Sequence, residues 1–152
     1  MRHFRGEISI EAPVEHVWAV YCDTTQWEEI QPGTRFSDFS GSVDEVGTTY
    51  VQTNRFLGIE IKTTITVVEV EPLQLYHEHG DQGPFDTYFR FQHDGEATRV
   101  VVDMDHEVPG RLPRFVKDLM QDLVIGGRVE REMREVLANF KALAEARAPV
   151  QA

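Results

Sequence analysis

Cysteine is nearly absent: Cys22 is the only one in 152 residues, which excludes an internal disulfide and any zinc site built from several thiolates. Beside Trp18 and Tyr21, at the end of an expected helix, it reads as a small buried apolar residue rather than a nucleophile. Positive charge is scarce too. Fifteen Lys and Arg stand against 26 Asp and Glu, for a net charge of -11, and no basic cluster breaks the acidic balance. A chain of this kind offers no footprint for phosphate backbones or anionic membrane surfaces. Nucleic acid is therefore not an expected partner, and the surplus acid reads as a solvated surface. No apolar run is long enough for membrane insertion, and the opening MRHFRGEISIEAP lacks the apolar stretch of a signal peptide, so the expected location is cytoplasmic. The glycines are dispersed in turns instead of forming a phosphate-binding loop, and there is no serine elbow or comparable nucleophile motif. No cofactor is expected.

What is present is the composition of a globular protein, 41% hydrophobic and 27% charged, at a length that suits one domain, taken as residues 1–147 with a tail at 148–152. From Phe4 the chain alternates. Phe4, Gly6, Ile8 and Ile10 point one way and Arg5, Glu7, Ser9 and Glu11 the other, as in a half-buried strand. Pro13 suits the first position of a helix, and Val14, Val17, Trp18 and Tyr21 follow at helical spacing. Asp23 is a natural cap for a second short helix around Gln26 to Ile30, which Pro32-Gly33 closes.

Between Thr34 and Val108, strand-like segments separated by turn signals predict an antiparallel meander of about six strands. Ile59, Ile61, Thr63, Ile65 and Val67 share one face of their strand. Phe85, Thr87, Phe89 and Phe91 do so in another, and Val100, Val102, Met104, His106 and Val108 in the next. Beyond Pro109-Gly110 the period becomes helical, through Leu112, Phe115, Leu119, Leu123, Val129, Met133, Val136, Leu137, Phe140 and Leu143. These residues predict a long amphipathic helix interrupted at Gly126-Gly127. The fold class is therefore α+β: a curved antiparallel sheet wrapped around a long C-terminal helix, with two short helices after the first strand.

The opening ISIEAPVEHVWAVYCDTTQW resembles the first strand, proline-started helix and aspartate-to-tryptophan segment of the Bet v 1-like superfamily, also called START-like or SRPBCC. Within it the chain is most similar to the bacterial polyketide cyclase/dehydrase-like proteins. VGTTY, VVEVEP with its following leucine, and the terminal REMREVLANFKALAEA fit the same pattern, so the resemblance spans nearly the whole chain. It implies a helix-grip fold with a deep cavity between sheet and helix that holds a hydrophobic or aromatic small molecule. Members include aromatase/cyclases, lipid and quinone carriers and hormone-binding proteins, so fold alone does not select a function.

Ile61, Ile65, Phe89, Val102 and Met104 are the expected sheet walls of that cavity, with Leu119 and Leu123 as its helical lid. Trp27 is placed to cover one end, by packing or by ligand stacking. Tyr50, Gln52, Asn54 and Phe56 share one parity and Thr49, Val51, Thr53 and Arg55 the other, and either face satisfies the pattern. With the first set inward, Tyr50 and Asn54 make the pocket amphipathic.

His106 falls on the apolar face beside Met104, where an imidazole can exchange a proton near neutral pH or simply be a hydrogen-bonded core residue. His77 and His79 share a face, and at least one is expected to reach the cavity or its mouth. Two histidines do not make a zinc site, spacing identifies no third ligand, and no metal is expected. Asp103, Asp105 and Glu107 alternate on the face opposite the apolar residues and read as solvated rather than as a catalytic pair. The family's cyclases are thought to use a buried arginine, yet the strand from Ile59 to Val70 contains none, and parity points Arg55 and Arg90 outward.

The expected function is binding or carriage of a hydrophobic or aromatic small molecule that is lipid-, quinone- or polyketide-like. The alternative is a cofactor-free polyketide aromatase/cyclase or dehydratase, with His106 or His77 as acid/base and Tyr50 orienting the substrate. Nothing in the sequence fixes the oligomeric state.

Overall fold

The structure, a computed structural model, describes residues 2–56, 58–82, 84–106 and 126–147. Its elements are β1 (Arg2–Ile10), α1 (Val14–Cys22), a 3-10 turn (Thr24–Gln26), α2 (Trp27–Ile30) and β2 (Arg35–Ser37). There follow β3 (Thr49–Phe56), β4 (Ile59–Glu71), β5 (Leu75–Gly80), β6 (Phe85–Asp94), β7 (Ala97–His106) and α3 (Gly126–Ala146). The strands form one antiparallel sheet in the order β1-β7-β6-β5-β4-β3-β2, so the first strand pairs with the last. This is the helix-grip architecture that the residue pattern predicts. Among the described residues, no helix is long and apolar enough to cross a membrane.

The alternation reads out as burial. Phe4 and Ile10 of β1 are buried while Arg5, Glu7 and Ser9 are exposed. In β4, Thr63, Ile65 and Val67 are buried between exposed Lys62 and Thr64. A bulge between Val67 and Glu69 then lets the strand bend, which a sheet needs in order to curl around a helix. Ile59 departs from its expected inward position. It sits where β4 leaves the β3–β4 turn and is 67% exposed. Pro13 stands one position before the first turn of α1, as its N-cap. Asp23 caps the 3-10 turn as expected, accepting a hydrogen bond from the Thr25 backbone N–H at 3.1 Å.

α3 presents Met133, Val136, Leu137, Phe140, Leu143 and Ala144 to the concave face, a stripe at the three-and-four spacing of an amphipathic helix. The expected helical segment before Gly126, including Leu119 and Leu123, lies outside the described residues. Four hydrogen bonds fix the other end of α3. Lys141 Nζ donates to Ser9 O at 2.7 Å and the Glu11 backbone N–H donates to Glu145 Oε2 at 2.7 Å. His16 Nε2 bonds Ala144 O at 2.9 Å, and Asn139 Nδ2 donates to Ile30 O at 3.1 Å. The Lys141 ammonium, bonded to Glu145 at 2.6 Å, and the Glu11 amide together hold the Glu145 carboxyl below its ordinary range.

Gly6 makes this close approach possible. A Cβ there would stand 2.9 Å from the Phe4 ring and 3.2 Å from Leu137 Cδ1. We predict that Gly6→Val destabilises the fold by about 1–3 kcal/mol, the usual cost of overpacking. Urea denaturation checks this, and unchanged stability would mean that α3 does not rest on β1 so tightly.

Candidate functional site

The concave face and α3 do not close completely. Between them lies a chamber of about 180 Å³, lined by Gln52 and Asn54 of β3, Ile61 and Thr63 of β4, Phe85, Thr87 and Phe89 of β6, Met104 and His106 of β7, and Met133 and Val136 of α3. An apolar hole of roughly 150 Å³ holds a benzene, so this one admits a ring-sized molecule. A smaller inner chamber of about 60 Å³ shares Gln31, Gln52, Glu78, Phe89 and Val136 with the first and continues to Tyr21, Trp27, Phe36 and Tyr50.

Strand parity decides what reaches these chambers. Residues directly opposed in an antiparallel pair share a face. Tyr76 opposes Phe89, which faces inward, so Tyr76 and Glu78 turn inward with it, while His77 opposes Tyr88 and turns out. The expectation that His77 or His79 lines the cavity is therefore corrected. Both lie on the convex face, where His77 Nε2 and His79 Nδ1 approach the same Asp86 Oδ1 at 2.9 and 3.2 Å. The His77 ring also stacks on Tyr88 with centroids 4.0 Å apart.

Glu78, which sequence reasoning missed, takes the place intended for His77. Its Oε2 accepts a hydrogen bond from Tyr50 Oη at 2.6 Å. Burial pushes its carboxyl up to about 7, against the opposing effect of the Tyr50 bond. Burial, and then the charge of Glu78, push the Tyr50, Tyr21 and Tyr76 hydroxyls up in turn. Among the described residues, no cation offsets this carboxyl. Leu75 and Tyr76 put one apolar residue on each face of β5, so alternation within LYHEHG is ambiguous. The aromatic Tyr76, set against Phe89, is the signal that would have resolved it.

The remaining candidates divide. Asn54, Ile61, Phe89, Met104 and His106 line the outer chamber, and His106 is only 3% exposed. Tyr50 and Trp27 line the inner one. The open parity of β3 resolves with Tyr50, Gln52 and Asn54 inward. Trp27 is also tied structurally, its Nε1 donating to Tyr21 O at 2.7 Å. Ile65 and Val102 are fully buried core residues rather than cavity walls. Leu119 and Leu123 fall outside the described residues. Arg90 points outward as parity requires and pairs with Asp103 at 2.9 Å. Arg128, which the sequence reading passed over, lines the outer chamber. Its Nε donates to Glu132 at 2.8 Å and its Nη2 to Arg55 O at 2.5 Å.

A carboxyl raised by folding makes the folded state the better proton binder between its ordinary value near 4.5 and about 7. Stability attributable to Glu78 is thus complete below pH ~4.5 and falls as the pH rises through that window. At roughly 1.4 kcal/mol for each pH unit, the ionised carboxylate costs on the order of 3 kcal/mol at most. We predict that Glu78→Gln removes this decline and stabilises the protein at pH ~8 by about 1–3 kcal/mol. Denaturant melts of both proteins at pH ~5 and ~8 check this. Parallel pH profiles would show that the carboxyl is solvated.

The sequence matches the family described as polyketide cyclase / dehydrase and lipid transport over residues 1–145. No functionally curated protein matches it significantly in sequence. Among solved structures, the Zhui aromatase/cyclase from Streptomyces sp. R1128 aligns with a TM-score of 0.80 at 19% identity, covering 98% of this chain and 96% of that one. TTHA0849 from Thermus thermophilus aligns at 0.78 and 19% identity, over 97% of this chain and all of that one. Ara h 8.0201 aligns at 0.63 and 9% identity, over 95% and 98%. At such identities the structures establish a common fold. The family match over nearly the entire length establishes more: the chain is a member of the polyketide cyclase/dehydrase and lipid transport family.

Proposed function

We propose that this protein binds and carries a small, largely apolar molecule with one polar end, its body in the outer chamber and its polar end at Glu78 and Tyr50. The observation that carries this reading is the Glu78–Tyr50 hydrogen bond, set beside the apolar side chains of Ile61, Phe85, Phe89, Met104, Met133 and Val136 in a cavity that polar residues such as Gln52, Asn54 and His106 also line. Apolar walls supply affinity in proportion to the area they remove from water, and a few fixed polar groups supply orientation. Lipid-, quinone- and polyketide-like molecules all meet that description. The volume of about 180 Å³ between the described walls favours a compact ring-bearing ligand over a long acyl chain.

Filling the chamber tests this. Ile61→Trp projects a larger side chain into the outer chamber from a partly exposed position. It should weaken binding of the neutral fluorophore N-phenyl-1-naphthylamine by at least about tenfold while leaving the melting temperature within a few degrees. Wild-type-like binding by a folded Ile61→Trp protein would put the ligand elsewhere. Native mass spectrometry of freshly purified protein, with extraction of any retained compound, then identifies the cargo.

A second reading rests on a specific pair of residues. His106 and Glu78 line the same chamber, burial raises the carboxyl to about 7, and an imidazole can both donate and accept a proton. Two groups of this kind suit proton transfer to and from an enolisable carbonyl, as cyclase or dehydratase chemistry requires. On this reading His106→Ala and Glu78→Gln each lower turnover of a polyketone by about 100-fold or more without unfolding the protein. Unchanged turnover in a folded variant removes that residue from the mechanism.

A further inference from the structure

The inner chamber has an unusual lining. Rings of Tyr21, Trp27, Phe36, Tyr50 and Phe89 surround it, and Glu78 is the one acidic or basic side chain among its described lining residues. The rings form a continuous packed set. Trp27 stands 5.2 Å from Phe36 and 5.2 Å from Tyr50, centroid to centroid, and Tyr21 stands 5.0 Å from Phe89. Tyr50 occupies one Glu78 oxygen. No other hydrogen bond to this carboxyl occurs among the described residues, which leaves Oε1 available to a ligand.

A buried carboxylate without a counter-charge is among the costlier things a fold can hold. Arg128 lies on the outer chamber's wall and is bonded to Glu132 and to the Arg55 carbonyl. His106 also belongs to the outer chamber alone. Among its described lining residues the inner chamber thus has aromatic rings, a carboxylate and no cation, a combination that attracts a positively charged group.

We propose that the inner chamber takes the protonated amino group of an organic amine whose apolar body lies in the outer chamber. This assignment rests on the cavity-binding reading above and names the ligand's polar end. The ammonium supplies the counter-charge that Glu78 lacks among the described residues and meets aromatic rings that an alcohol would use only as apolar surface. A carboxylate-bearing ligand would instead be repelled by Glu78. A chamber of about 60 Å³ accepts a head group of a few heavy atoms but not a further ring. Gln31 and Gln52, in the wall shared by both chambers, offer amide oxygens to any N–H that Glu78 does not take. The acidic surface, at a net charge of -11, adds a field that draws in cations.

The test uses three probes of one shape: 4-phenylbutylamine, 4-phenylbutan-1-ol and 4-phenylbutanoate. Each displaces N-phenyl-1-naphthylamine from the full chain at pH ~8, where Glu78 is ionised and the amine protonated. The expected order is amine, alcohol, acid, with the amine at least about tenfold tighter than the alcohol. In Glu78→Gln the amine should fall to the affinity of the alcohol, whose own binding changes little. Equal affinity of amine and alcohol in the wild type, displacement by none of the three, or an amine preference that survives Glu78→Gln overturns the ammonium assignment alone. Failure of the fluorophore itself to bind overturns the cavity reading beneath it. Should Glu78→Gln not fold, the wild-type ranking still decides.

Discussion

The clamp that ties the C-terminal half of α3 to the first strand and the two short helices is the constraint on which the placement of the helix over the sheet depends. Lys141, Asn139 and Ala144 are tied to Ser9, Ile30 and His16, and Gly6 removes the side chain that would push Leu137 away. At this end the helix lies in van der Waals contact with the sheet, and Phe140 and Ala144 are buried. Toward Gly126, Val129, Met133 and Val136 line the outer chamber, and Arg128 reaches across to the Arg55 carbonyl of β3. Among the described residues, the closest packing lies at the C-terminal end of α3 and the chamber lies toward its other end.

The void is bounded on its closed side by an aromatic layer. Tyr21 stands at its centre, within 5.0 to 5.8 Å of Tyr76, Phe89, Phe91 and Phe140. Rings at edge-to-face distances pack densely and gain from their quadrupoles, so this layer is a firm wall. Glu78 sits against it with Tyr50 as its single hydrogen-bond donor among the described residues. A fold selected for stability alone would place an apolar residue there. A costly local choice amid otherwise consistent packing is the usual mark of a functional position.

Much of this was legible in the residues, and the exceptions have physical causes. Strands with strong alternation, such as Phe85 to Phe91, reveal both their existence and their inward face, because burying three phenylalanines leaves one solution. β3 offered two acceptable faces, since Thr and Val on one side compete with Tyr, Gln and Asn on the other. Its pairing with Ile61 and Ile65 through Asn54 and Tyr50 settles the choice. Ile65 and Val102 were legible as inward but not as core rather than wall, because distance from the helix depends on sheet curvature, which no local pattern encodes. His77 was misplaced for want of contrast: a strand with Leu75 on one face and Tyr76 on the other carries almost no periodic signal.

That weak strand carries the site's chemistry, so its register matters more than that of its stronger neighbours. Sliding β5 by one residue would exchange Glu78 for His77 or His79 and replace an acid in the cavity by an imidazole. Two features oppose such a slip. Tyr76 fills a fully buried space between Tyr21 and Phe89, which neither Leu75 nor His77 matches in shape. Gly80 lies beneath the Phe85 ring, where any Cβ would collide with ring atoms. A shift would bring Asp81 or His79 under that ring, and neither fits. Phe85 therefore has two roles: it lines the outer chamber, and by demanding a glycine opposite, it fixes which face of β5 presents its side chains to the ligand.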